Sequence, residues 1–212
     1  MSAEKSYEIR DPIHGFITVS EWERDIINHP VFQRLRRIRQ LGLTDMVYPG
    51  ATHTRFEHSL GVMHLADRAY EILTSKRRYV ERLESEHHYK EAGIKRDRCL
   101  IRLAALLHDV GHGPFSHVAE SLFQERPAKV GASGPTRRAR YTHEHYSAAI
   151  IRRFFKDLID ENGCNKTNYC ITADEVAGLL EGDLALKARL FWRGLLTSQM
   201  DVDRMDLSLI HI

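Results

Sequence analysis

Apolar residues recur along most of this chain every three to four positions, the spacing of an amphipathic helix, and only the first stretch breaks that rhythm. Residues 6 to 20 place Ile9, Ile13, Phe16, Ile17 and Val19 around Pro12 and Gly15, which predicts two short strands or an extended arm. Pro30 suits a first helical turn, Val31, Phe32, Leu35, Ile38 and Leu41 form one apolar face, and Gly42 ends it. A second helix starts at Arg55 and is marked by Phe56, Leu60, Met63, Tyr70 and Leu73. The charged stretch from Lys76 to Asp97 reads as a solvated helix extension and loop. Cys99 to Val110 is apolar on most sides and should be a central helix. Residues 126 to 140 hold prolines and glycines without periodicity and read as a mobile loop.

Tyr146, Ile150, Phe154 and Leu158 mark another helix, ended near Asn162-Gly163. Thr172-Ala173-Asp174-Glu175 fits a capping box before Val176, Leu179 and Leu180, and Leu184 to Leu196 continues helically. No internal repeat is present. The pattern predicts a mainly α fold with a short N-terminal β arm: residues 1–20 form the arm and 21–212 one helical domain.

Composition changes this picture little. A chain of 212 residues, 42% hydrophobic and 28% charged, has the makeup of a globular domain with a sizeable core. A net charge of +2 gives no argument for nucleic-acid binding. Three cysteines at unrelated spacings argue for reduced thiols rather than a disulfide framework. The polar first residues do not resemble a signal peptide, and no apolar run has the length of a membrane span. The expectation is an intracellular, cytoplasmic protein without a membrane partner, or a nuclear one in a eukaryote.

The chemistry concentrates at Leu106-Leu107-His108-Asp109-Val110-Gly111-His112-Gly113-Pro114-Phe115-Ser116-His117. An apolar helix delivers adjacent imidazole and carboxylate groups, and a glycine-rich turn brings further histidines back over them. Burying so many polar groups is costly unless they are paired or hold a metal. A metal takes about four ligands or more, so other segments must contribute. Thr52 to Gly61 offers Arg55 and His58 on one helix face, and Ser198 to Asp206 offers an acidic cluster of Asp201, Asp203 and Asp206. The residue types point to metal-assisted phosphoester hydrolysis.

Asp11-Pro12-Ile13-His14-Gly15, Phe32-Gln33-Arg34-Leu35, Gln40-Leu41-Gly42, Pro49-Gly50-Ala51, Arg55-Phe56-Glu57-His58-Ser59-Leu60-Gly61 and the stretch from His108 to His117 occur in that order. Together they resemble the HD superfamily of metal-dependent phosphohydrolases, in the branch of deoxynucleoside triphosphate triphosphohydrolases. The resemblance implies an HD-domain helical bundle. It makes His58, His108, Asp109 and Asp203 the ligands of one divalent transition metal (Fe, Mn or Zn), with Mg²⁺ a candidate companion of the substrate. It assigns His112, His117, His143 and Glu120 to catalysis, His117 as proton donor and Glu120 as its orienting partner. Arg55 and Arg204 would clamp phosphate charge, and Gln40 and Leu41 would meet the sugar. His87, His88 and His145 read as solvated, as do at least two of Arg34, Arg36, Arg37 and Arg39.

The match has departures. Asn28 stands where vertebrate relatives carry an acidic residue that reads guanine at an activating site, and Leu207 replaces a common aromatic. The segment from Leu207 to Ile212 does not follow the family, whose members continue with a long helical portion, so a domain incomplete at its C-terminus is expected. The resemblance implies a nucleotide substrate and a homo-oligomer. Hydrolysis of another nucleotide or a phosphomonoester stays open, as does a non-catalytic nucleotide- or nucleic-acid-binding module using the Arg137-Arg138-Ala139-Arg140 loop; nucleic acid is the less favoured partner.

Overall fold

The computed structural model describes residues 5–87, 91–115, 122–125, 140–199 and 201–210. It is mainly α, a helical bundle preceded by a two-stranded arm. Strands β1 (Ser6–Asp11) and β2 (Gly15–Ser20) pair antiparallel, Ser6 opposite Ser20 and Asp11 opposite Gly15. Asp11 Oδ1 accepts the backbone N–H groups of Ile13 at 2.8 Å and His14 at 2.9 Å, which sets the turn that carries His14. The inward face of β2 buries Ile17 and Val19. Ser20 and Glu23 form a reciprocal capping box that starts helix α1 (Glu21–Asn28).

Helix α2 (Pro30–Gln33) has its proline in the first turn, as the sequence predicts, but the helix does not reach Leu41. It tightens into a 3₁₀ turn over Arg34–Arg37 and then straightens. The reason is a competing partner for the backbone. Arg55 N–H donates to the Ile38 carbonyl at 2.9 Å, Gln40 N–H donates to the His53 carbonyl at 3.2 Å, and Arg39 bridges to Thr54. This pairing sets Ile38 opposite Arg55, the first residue of the next helix, and Gln40 opposite His53.

Helix α3 (Arg55–Ser75) begins at a Thr54–Glu57 capping box. Helix α4 (Arg77–His87) continues the charged stretch, and α5 (Glu91–Leu107) starts before the apolar segment that the sequence marks as central. Leu100, Ile101, Leu103 and the Ala104–Leu107 run are buried. The helices α3 and α5 run in opposite directions, since His58 meets His108 while Asp67 meets Arg98 and Arg102. The first turn of α3 and the end of α5 therefore share one end of the bundle.

Helix α6 (His143–Ile150) passes through one wide π turn, Ile151–Phe155, into α7 (Lys156–Asp160). Asn162 does not simply end this run. Its side chain accepts Asn165 N–H at 3.0 Å and caps a new helix, α8 (Gly163–Asn168). The Thr172–Glu175 capping box starts α9 (Ala173–Glu181) as predicted. A 3₁₀ stretch over Leu184–Trp192, kinked at Lys187, leads to α10 (Arg193–Leu196) and α11 (Val202–Ile210). The expected loop over 126–140 lies outside the described residues except for Arg140. No helix among the described residues is long and apolar enough to cross a membrane.

Candidate metal centre

Three separated segments meet at the shared end of α3 and α5. His58 comes from the second turn of α3, His108 and Asp109 follow the last turn of α5, and Asp203 lies in the first turn of α11. His58 Nε2 is 2.8 Å from Asp203 Oδ1 and 3.9 Å from Asp109 Oδ2. His108 Nε2 is 3.3 Å from Asp109 Oδ1 and 4.0 Å from Asp203 Oδ1. Ligand atoms around a first-row cation, bonded at about 2.1 Å, lie about 3 Å apart. The facing donor atoms of these four side chains lie 2.8 to 4.0 Å apart, near that spacing, with His58, His108 and Asp203 forming one compact group.

The donors are chemically ready. His108 Nδ1–H donates to the Ala105 carbonyl at 2.7 Å, which fixes the tautomer and leaves Nε2 with a lone pair. That Nε2 is buried and has no hydrogen-bond partner among the described residues, a costly state unless something electropositive meets it. His58 is fully buried among Asp109, Asp203 and Asp206. Burial opposes its protonation, but hydrogen bonds to Asp203 and Asp206 and the Asp109 charge outweigh it and raise the pKa to about 9. A pocket that holds a proton this tightly has the surplus negative charge a divalent cation needs. Burial also works against ionising Asp109, yet the Arg55 guanidinium paired with it holds its carboxyl well below the usual carboxylate range. The residues fit a metal ion.

The late acidic cluster divides its work. Asp201 accepts Ser198 N–H and Arg204 N–H, both at 2.9 Å, and so caps α11. Asp206 faces the back of His58, with Oδ2 2.7 Å from Nδ1. Only Asp203 of the three faces both His58 and His108.

A cleft of about 510 Å³ opens over this centre, lined among others by Gln40, Arg55, Asp109, His112, His143, Asp203, Arg204 and Leu207. Arg55 is 2% exposed and pairs with Asp109. His112 stacks on His143, ring centroids 3.9 Å apart, and its Nε2 lies 3.3 Å from Asp109 Oδ1. Burial pushes His112 down to about 4 despite Asp109, so it is neutral at neutral pH. Asp109, His112 and His143 form a second group with ligand-like spacing. Gln40 is buried, and its Oε1 has no hydrogen-bond partner among the described residues. Leu41 is half-buried and is not among the cleft-lining residues. Arg204 sits exposed at the rim, donating to the Gln199 carbonyl. His117 and Glu120 lie outside the described residues.

Arg34 is not a solvated arginine. It donates to the carbonyls of Val110 at 2.5 Å and His112 at 2.9 Å, clamping the turn that presents Asp109 and His112. Arg36 lies over the Phe56 ring, while Arg39 is exposed and donates to the Thr52 carbonyl. His145 caps Thr142 N–H rather than facing solvent alone. The sequence singled out none of these contacts, nor the placement of His14 against Asp206 at 2.6 Å. A signal was available for Asp206, one helical turn beyond Asp203 and therefore on the same face.

Comparison with known proteins agrees with this geometry. The HD domain family matches residues 55–207, and the chain belongs to that family. It is 33% identical over 211 residues to the deoxynucleoside triphosphate triphosphohydrolase SAMHD1 homolog of Dictyostelium discoideum, covering 97% of this chain and 36% of that protein. It is 40% identical over 155 residues to the deoxynucleoside triphosphate triphosphohydrolase SAMHD1 of Bos taurus, covering 73% of this chain and 22% of the relative. Among solved structures, a phosphohydrolase from Bacteroides thetaiotaomicron superposes with a TM-score of 0.65 at 32% identity, covering 96% of this chain and 40% of that one. The chain thus spans about a third or less of the length of these two SAMHD1 relatives.

Proposed function

We propose that this chain is a metal-dependent phosphohydrolase that cleaves deoxynucleoside triphosphates into deoxynucleoside and triphosphate. One observation carries the hydrolytic reading: a buried, lone-pair-bearing His108 Nε2 without a hydrogen bond among the described residues, set beside two carboxylates and His58. Similarity to the SAMHD1 proteins supports the substrate class. His58, His108, Asp109 and Asp203 would hold the ion, with Fe, Mn and Zn all compatible with mixed imidazole and carboxylate donors, and Mg²⁺ accompanying the triphosphate. Such an ion supplies Lewis-acid polarisation of a phosphoryl oxygen and a water of lowered pKa.

The chain's own residues then do the rest. Arg55 and Arg204 neutralise phosphate oxygens, the guanidinium fork matching their geometry. His112, held neutral with Nε2 toward Asp109, lines the cleft without adding charge, and His143 stacked on it extends the same wall. The open Oε1 of Gln40 accepts from a sugar hydroxyl, with Leu41 next to it in sequence. As water oxygen bonds to the α-phosphorus, the bond to the 5′-oxygen breaks, and His117 delivers a proton to that oxygen while Glu120 orients the imidazole.

The test is metal analysis of the purified chain together with detection of triphosphate released from each deoxynucleoside triphosphate under added Mn²⁺ or Fe²⁺. Triphosphate should appear in a metal-dependent manner. Cleavage of a phosphomonoester with no triphosphate from any nucleotide would refute the substrate assignment.

A further inference from the structure

Behind His58, on the side away from the substrate cleft, stands a second carboxylate that the ligand set does not use. Asp206 is fully buried, and its two oxygens serve two different imidazoles: Oδ2 is 2.7 Å from His58 Nδ1, and Oδ1 is 2.6 Å from His14 Nε2. A carboxylate oxygen accepts, so both rings donate to it. The side chain of His14 is only 6% exposed. It is held from the other direction, because its own backbone N–H is tied to Asp11 in the hairpin turn. A continuous chain of hydrogen bonds therefore runs from the β1–β2 turn through His14 and Asp206 to His58.

The neighbouring helix is shaped around this chain. A Cβ at Gly61 would run into Asp206 Oδ1 and Asp206 Cγ and come within 2.8 Å of His14 Nε2. A side chain is excluded at the one place on α3 where the two groups meet. The outer end of the chain faces a separate cleft of about 280 Å³, lined by Asp11, Ile13, His14 and Asp206. His14 is absent from the lining of the substrate cleft.

We infer that His14 and Asp206 are positioning residues for the metal centre: the relay holds the His58 ring with Nδ1–H on Asp206 and Nε2 turned toward Asp203 and Asp109, so the N-terminal arm takes part in setting metal affinity. This rests on the reading of His58 as a metal ligand. Partners of this kind, bonded to the far nitrogen of a ligating imidazole, fix ring orientation and raise ligand basicity, and their loss weakens metal binding by about 10- to 100-fold.

The experiment titrates the metal-stripped full chain with Mn²⁺ alone, following free Mn²⁺ by electron paramagnetic resonance, for the parent, His58→Ala, Asp206→Asn, His14→Ala and His14→Gln. Asp206→Asn and His14→Ala should weaken binding by about 10- to 100-fold. His14→Gln, whose amide N–H can still donate to Asp206, should recover most of the loss. Long-range ¹H–¹⁵N spectra of the metal-free protein should show the His58 Nδ1 proton displaced in Asp206→Asn and retained in His14→Gln. Asp206→Asn changes no volume, so it keeps the test decisive if His14→Ala does not fold. Parent-like Mn²⁺ affinity in both Asp206→Asn and His14→Ala overturns the relay, as does a His14→Gln protein no better than His14→Ala. Parent-like affinity in His58→Ala instead overturns the ligand assignment beneath it.

Discussion

Helices α3 and α5 carry two buried clusters of charge, and they are built differently. Midway along the pair, Arg102 bonds Glu23 at 2.6 and 2.8 Å and Asp67 at 2.7 Å, while Arg98 bonds Asp67 at 2.6 and 3.0 Å. Opposite charges match, Asp67 is held ionised by both arginines against the cost of burial, and Arg102 is pushed further up by Glu23 and Asp67 against the same cost. At the end of the pair, His58 sits among three carboxylates, and His108 Nε2 is left without a hydrogen bond among the described residues. The first cluster is electrically closed and joins the hairpin, α1 and the two long helices. The second is left open toward a cleft. Burial and charge alone do not mark a functional site; an unfilled valence does.

The largest expected effect tests the open cluster. His58→Ala or Asp109→Ala should abolish tightly held metal and lower triphosphate release by at least about 1,000-fold, read by elemental analysis and a phosphate assay. Either protein retaining parent metal content would end the distinction. Arg102→Met should do the opposite, leaving metal content unchanged while costing about 3 kcal/mol of stability in denaturant titration, because Glu23 and Asp67 lose their shared cation.

Protons should separate the clusters too. In the metal-free protein, His58 titrates near 9, above its ordinary 6.5, so its contribution to stability is complete below 6.5 and disappears as pH rises through 9. Because the same proton blocks Nε2, Mn²⁺ affinity should fall about tenfold per pH unit as pH drops below 9. Asp67 behaves in the reverse sense. Its pKa lies below the ordinary 3.8, so its contribution is present above that value and is lost as pH falls through the depressed one. The stability difference between parent and Asp67→Asn should therefore vanish in strong acid, as measured by denaturation at descending pH. The smallest effect is expected from Ser147→Ala. Ser147 Oγ accepts Gly111 N–H at 2.8 Å and donates to the His108 carbonyl at 2.5 Å, so its loss should cost about 1–2 kcal/mol with metal content unchanged.

The local grammar of the chain was readable in the hairpin arm, the Thr172–Glu175 cap and the buried run of α5, whereas the grouping of His58, His108, Asp109 and Asp203 came from resemblance to a family and not from spacing. Periodicity and capping express themselves within a few residues. What escaped were choices made by distant partners. Nothing local distinguishes a helix from 30 to 41 from one that straightens at Ile38, because the competing backbone partners are His53, Thr54 and Arg55. Arg34 looks like any surface arginine until Val110 and His112 present carbonyls to it. His14 and Asp206 are 192 residues apart, a separation that no spacing rule spans.

One close approach has a consequence for how the molecule tolerates change. A Cβ at Gly111 would strike the His143 carbonyl and the Ser147 amide, so the turn after α5 and the start of α6 touch main chain to main chain. Any side chain at that point must push the end of α5 away from the start of α6, so Gly111→Ala should part His143 from Asp109 and unstack it from His112.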